Sequence, residues 1–301
     1  VSAEEITGAS EIPEIEKHTM EVSSSPHVFS GDSVRKIMWT VSLALLPATV
    51  FAVWHFGAPA LTTMAAGALS AVAFECAALK LRGRNISAAA DGSAFLTGLL
   101  LAMCLPPAVP LFIPVTGSFV AIVIAKHSMG GLGHNIFNPA HIGRAALMAS
   151  WPMLMTTWTG MKTELDAVTT ATPLGILKHQ GYGALVNTFG GQEPMYKALL
   201  AGERNGCIGE TSVIFLVIGG VFLICKGYIN WMVPALMIGS VGLVTWIFGP
   251  AGFFTGDPFF HMMAGGLVLG AFFMATDMVT TPVTRRGQAL FAVGAGGITA
   301  L

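Results

Sequence analysis

The chain has 301 residues, 53% of them hydrophobic and only 10% charged, with a mean hydropathy of +0.70. Soluble domains carry about 25% charged residues, so this composition excludes a water-covered surface and points to an integral membrane protein. A net charge of -1 and a pI near 6.8 give no whole-chain attraction for nucleic acid or for an acidic substrate.

From the N-terminus, residues 1–33 are polar and acidic and lack the apolar stretch that a cleavable signal peptide needs. The chain starts at Val1 rather than methionine, so part of the natural N-terminus is expected to precede it. Spans of about 20 apolar residues cross a bilayer. Such windows lie at approximately 37–56, 59–79, 111–127, 140–156, 211–225 and 229–248, with shorter ones near 93–105 and 259–276 and a last at 287–301. Lysine and arginine collect in alternate connections, at Arg35 and Lys36, at Lys80, Arg82 and Arg84, at Lys126, at Lys226, and at Arg285 and Arg286. The positive-inside rule puts these in the cytoplasm, the N-terminus with them, and the long segment 157–210 outside.

The two short windows are the third of each group: one runs from Asp91 through Thr97 and Gly98 to Pro106 and Pro107, the other from Asp257 and Pro258 to Asp277 and Pro282. Discontinuous segments in matched positions suggest an inverted repeat with a site at its centre. Glycine and proline that merely ease helix packing give the same pattern. The expected architecture is an all-α membrane bundle of about ten helices, built from two inverted five-helix repeats whose last helix would lie beyond Leu301. Its parts are a cytoplasmic segment 1–33, a first repeat 34–156, an extracytoplasmic loop 157–210 and a second, incomplete repeat 211–301. Cys76, Cys104, Cys207 and Cys225 form no CxxC pair and read as small apolar residues at helix ends. His127, His134, His141 and His261 have no metal-ligand spacing, and no metal is assigned.

The outer loop contains Asp166, Thr169, Thr170, Ala171, Thr172 and Pro173. Thr172 is a good N-cap and Pro173 a good first helical residue, so a helix is predicted to run from here toward Lys178. The Thr172 hydroxyl then sits at the positive helix end, with the N–H groups of Leu174 and Gly175 free to meet a phosphate. A plain cap is the other reading of these residues. On the cytoplasmic side, Gly130, Gly131 and Gly133 permit close backbone approach, and the amides of Asn135 and Asn138 can face one ligand. Alternatively Asn138 caps a helix that begins at Pro139. Ionisable residues in spans cost about 2.5–3.5 kcal/mol each at a helix centre, so Glu75, Arg144 and Asp277 need a reason. Glu75 reads as part of a cation path or as a side chain reaching the headgroups, and Asp277 as a second candidate on that path. Arg144 reads as the partner of an electron-rich ligand or of an acid on another helix.

The pattern formed by Asp166, Thr169, Ala171 and Thr172 resembles the flavinylation motif recognised by a periplasmic flavin transferase, with Thr170 where glycine is usual. The stretch from Gly130 to Pro139 and the segments around Arg35, Gly98 and Asp277 resemble the RnfD/NqrB family, and the likeness covers most of the chain. It implies a membrane flavoprotein subunit, of the RnfD type, in an ion-translocating ferredoxin:NAD oxidoreductase (Rnf) complex of the bacterial cytoplasmic membrane. It further implies FMN joined to Thr172 by a phosphoester, riboflavin held by Asn135 and Asn138, and coupling to Na+ or H+ movement. The implied partners are the other Rnf subunits (A, B, C, E and G) and the flavin transferase, with no nucleic acid. The short N-terminus separates the chain from NqrB of the sodium-pumping NADH:quinone reductase, which is normally longer there. With no dinucleotide fingerprint and no iron–sulfur ligand set, the chain alone completes no reaction. A channel or secondary transporter suits an inverted repeat equally, and a scaffold protein without a redox group is a third reading.

Overall fold

The computed structural model describes residues 32–158, 172–202, 204–210, 212–249 and 252–301, and its helical unit spans Val34–Leu301. Helices α1 (Val34–Phe56) and α2 (Ala58–Leu81) are each long and apolar enough to cross a bilayer. Only 28% and 39% of their apolar windows are buried in the protein, and Leu43, Leu46, Val50, Trp54 and Leu69 project outward. A soluble core helix buries such residues, so these faces belong against lipid. Gly57 joins the two helices alone, at a φ of 80° that other residues adopt only under strain.

After a 3-10 turn at Ile86–Asp91 comes α3 (Ser93–Met103), short as the sequence predicts. Helix α4 (Phe112–Phe119) runs on as a π-helical stretch, Val120–His127. The single window predicted at 140–156 is two pieces, α5 (Pro139–Ser150) and α6 (Pro152–Thr156). Trp151 leaves helical geometry (φ -134°, ψ 61°) because it precedes Pro152. Outside the spans lie α7 (Pro173–Thr188), kinked at Gly181, and α8 (Gln192–Ala201). Then follow α9 (Val213–Cys225) and α10 (Met232–Ile247). A minimal hairpin of β1 (Phe248–Gly249) and β2 (Gly252–Phe253) is a small exception to the all-helical expectation. The window predicted at 259–276 is broken: α11 (Pro258–Met263) ends at extended Ala264, Gly265 takes a positive φ of 63°, and α12 (Leu267–Leu269) continues as a π-helical stretch, Gly270–Met274. Helix α13 (Arg285–Ala300) follows.

Small residues let the helices approach closely, as lipid-embedded bundles require. A Cβ on Gly67 of α2 would lie 2.9 Å from the Gly98 carbonyl of α3, and the Ser118 hydroxyl of α4 donates to the Gly67 carbonyl at 2.9 Å. Helix α1 packs on α9, α2 on α3 and α4, and α10 on α13. The end of α3 reaches the π-helical stretch that follows α12, where Cys104 Sγ lies 3.9 Å from Met274 Sδ.

Candidate functional site

An arm beside the membrane bundle is built from α7 and α8. Thr172 caps α7 as predicted, its Oγ1 accepting from the Gly175 N–H at 3.1 Å, with Pro173 at the first helical position. That bond corrects one detail of the expectation, since the Gly175 N–H is engaged rather than free. Asp166, Thr169 and Ala171 lie outside the described residues. The arm packs through Leu185, Met195 and Leu199 onto Phe260 and Ala264, forming an apolar cluster apart from the main core. Above it, the hydroxyls of Tyr182 and Tyr196 donate to one oxygen, Asp257 Oδ2, at 2.7 and 2.6 Å, while Asp257 Oδ1 accepts from the Phe260 N–H and so caps α11. Burial, and then the bond to Asp257, push both phenols above their ordinary titration range.

The break between α11 and α12 is held open by Arg204, a residue only 4% exposed. Its guanidinium donates to the Met263 carbonyl at 2.6 Å and the Gly265 carbonyl at 3.5 Å, and twice to the Glu210 carbonyl. A helix interrupted inside a membrane leaves carbonyls without intrahelical partners, and one planar cation satisfies several of them here. Arg204→Met should lower the unfolding free energy by about 2–4 kcal/mol, because buried carbonyls lose their donors, and a lowered midpoint of thermal inactivation in detergent would show it.

Beneath the break lies a cavity of about 690 Å³, within the roughly 300–1,000 Å³ typical of small-molecule sites. Asn138, Arg144, Cys207, Glu210 and Gly266 contribute to its lining, among largely apolar neighbours. Arg144 shares this lining with an acid from another element, Glu210, and its Nε is buried with no hydrogen-bond partner among the described residues. Asn138 caps α5 by accepting from the Ala140 N–H at 3.0 Å and donates to the Met274 carbonyl at 3.3 Å. One amide hydrogen remains for a ligand. Asn135 instead lines a second cavity, of about 80 Å³, whose wall Asn138 shares. The two asparagines therefore meet at the smaller cavity, and only Asn138 and Arg144 meet at the larger one.

Lys126, Ser93 and Asp277 also line the smaller cavity. Lys126 is 2% exposed, and its Nζ lies 2.9 Å from Glu75 Oε2 and 2.8 Å from Ser93 Oγ. Ser93 Oγ in turn donates to Asp91 Oδ1 at 2.7 Å, and His127 Nε2 lies 3.0 Å from the same Glu75 oxygen. Glu75 is thus buried in an ion pair, which overturns the reading of a side chain reaching the headgroups. Sequence reasoning missed Lys126 by treating it as a loop charge. Its neighbours Ile122 and His127 are buried, so a cation closing an apolar window was the available signal.

Over 290 residues the chain is 62% identical to the D subunit of the proton-translocating ferredoxin:NAD(+) oxidoreductase complex of Clostridium ljungdahlii, covering 96% of this chain and 87% of that protein. It is 44% identical over 283 residues to the D subunit of the Na(+)-translocating ferredoxin:NAD(+) oxidoreductase complex of Acetobacterium woodii, covering 93% and 84%. It is 38% identical over 298 residues to the D subunit of the ion-translocating oxidoreductase complex of Rhodobacter capsulatus, covering 91% and 82%. With residues 21–301 matching its profile, the chain belongs to the NQR2, RnfD, RnfE family.

Proposed function

We propose that, as the D subunit of an ion-translocating ferredoxin:NAD oxidoreductase complex, this chain carries FMN on Thr172 and riboflavin in the larger cavity. One juxtaposition supports the reading most strongly. Leu174, two residues from Thr172, rests on the helix break, since a Cβ on Gly265 would lie 3.1 Å from Leu174 Cδ1, and the next residue, Gly266, lines the cavity of Asn138 and Arg144. Thr172 thus lies two residues from a side chain seated beside the cavity wall. Flavins, when bound, supply the electron transfer, and the chain supplies position and electrostatics.

Thr172 offers an oxygen at the positive end of α7, where an anionic phosphoester is favoured. Asp166, Thr169 and Ala171 form the rest of the motif a flavin transferase would read. The unpartnered Arg144 Nε and the remaining Asn138 amide hydrogen would hold the carbonyl edge of a bound isoalloxazine. Asn135 acts from the neighbouring cavity. That cavity has room for a few waters, and with Glu75 and Asp277 near it forms a polar route for Na+ or H+. The chain sits in the bacterial cytoplasmic membrane with its N-terminus inside and its arm outside, assembled with the A, B, C, E and G subunits.

Denaturing the complex purified from its host, with the flavin transferase active, tests both cofactors. The chain's own gel band should fluoresce, and flavin should also appear in the supernatant. A dark band would sink the covalent site and favour a transporter without redox groups.

A further inference from the structure

We propose that Tyr182 and Tyr196 are positioning residues that, through Asp257, hold the α7–α8 arm and its Thr172 end against the break between α11 and α12. This inference rests on reading Thr172 as the flavin carrier. The observation behind it is a single carboxylate engaged on both oxygens by three elements. Oδ2 accepts from a phenol on α7 and a phenol on α8, and Oδ1 fixes the first turn of α11. Gln192 Nε2 at the start of α8 donates to the Tyr182 hydroxyl at 3.1 Å and ties the α7–α8 turn into the same network.

The kink at Gly181, with a φ of 84°, immediately precedes Tyr182 and redirects the second half of α7. Without that left-handed residue an unbroken α7 could not place Tyr182 and Thr172 as it does. The apolar part of the docking is a cluster of its own: Leu185, Met195 and Leu199, flanked by Ile176, Val186 and Phe189, against Phe260 and Ala264. A module docked mainly through a cluster distinct from the bundle core, with a polar latch beside it, can detach while the bundle stays folded. Two phenols on one carboxylate oxygen give the latch direction as well as strength, since hydrogen bonds to a charged acceptor are the stronger kind. Phe260 and Ala264 belong to the element whose break walls the cavity, so the latch fixes the acceptor relative to that wall. Positioning on this scale matters, because a displacement of about 1 Å can cost about 100-fold in rate.

The test uses the complete complex with Tyr182→Phe, Tyr196→Phe, both together, and Asp257→Asn, which keeps the cap of α11 because asparagine caps as well as aspartate. Three quantities are read: flavin fluorescence on the denatured band, the rate of proteolytic cleavage within the arm, and ferredoxin-driven NAD reduction. Attachment should be unchanged in every variant. Arm cleavage in each single tyrosine variant should rise roughly ten- to a hundredfold, the weight of one hydrogen bond to a charged group, and further in the double variant, with Asp257→Asn between the double variant and the wild type. Turnover should fall with it, while KM for ferredoxin and for NAD stays put. Faster cleavage with unchanged turnover would make the latch merely structural and overturn the inference. Unchanged cleavage would overturn it too. A dark wild-type band would instead remove the Thr172 reading, and this inference with it.

Discussion

Thr172→Val is expected to leave this protein's band dark and to abolish ferredoxin-driven NAD reduction by the assembled complex. Valine has nearly the shape of threonine but offers no oxygen to carry a phosphoester, so the change deletes one function and little volume. It also deletes the cap bond from the Gly175 N–H, which costs about 0.5–2 kcal/mol of local helix stability. Thr172→Asn separates the two effects. Asparagine caps at least as well as threonine and has no ester-forming hydroxyl, so this variant should be as dark and as inactive as the valine one while its arm resists proteolysis normally. Turnover surviving in a dark variant would take the covalent group off the electron path. Fluorescence surviving in Thr172→Val would move the attachment to another residue of the loop, with Thr169 and Thr170 next to be tested.

Lys126→Met should be the most damaging single change to stability, lowering the unfolding free energy by about 3–5 kcal/mol, because it leaves the Glu75 carboxylate buried without its cation. Ser93 Oγ loses its donor in the same step. His127 stays 3.0 Å from Glu75 Oε2 and is the remaining group able to soften the loss. The double variant Glu75→Gln with Lys126→Met removes both charges and should recover most of the stability, since replacing a whole buried pair is often close to neutral. Midpoints of thermal inactivation for the two single variants and the double variant close the cycle that isolates the pair. The double variant also examines the ion route. If Glu75 lies on it, a stable complex should still reduce NAD but no longer move ions in proportion. Normal ion movement in that complex would leave the pair a structural role only.

Much of the molecule is legible in the residue order because the deciding physics is local. Long apolar windows give α1 and α2 within a few residues of the predicted ends. Thr172 with Pro173, Asn138 with Pro139 and Asp257 with Pro258 each mark a helix start, because a side-chain acceptor and a proline act on the very next turn. The shortness of α3 is likewise announced by local glycine and proline, whereas the interruption near Gly265 falls inside a window read as one short segment.

The groups that share a site are another matter. Lys126 finds Ser93 and Glu75, Arg204 finds Met263 and Gly265, and Tyr182 finds Asp257 across long stretches of chain, and no local signal names a partner. Glu75 seen alone can reach the headgroups or be buried, and only the approach of α4 to α2 and α3 decides for burial. The two asparagines are three residues apart and both line the smaller cavity, yet Asn138, the cap of α5, also reaches the larger one and Asn135 does not. By itself the sequence determined the two long apolar helices α1 and α2 and the caps at Thr172 and Asn138, because each is settled within a turn or two of backbone. The tertiary structure alone decided which buried charges are neutralised, where the cavities open and what holds the α7–α8 arm, because those depend on side chains meeting across helices that the membrane forces to pack together.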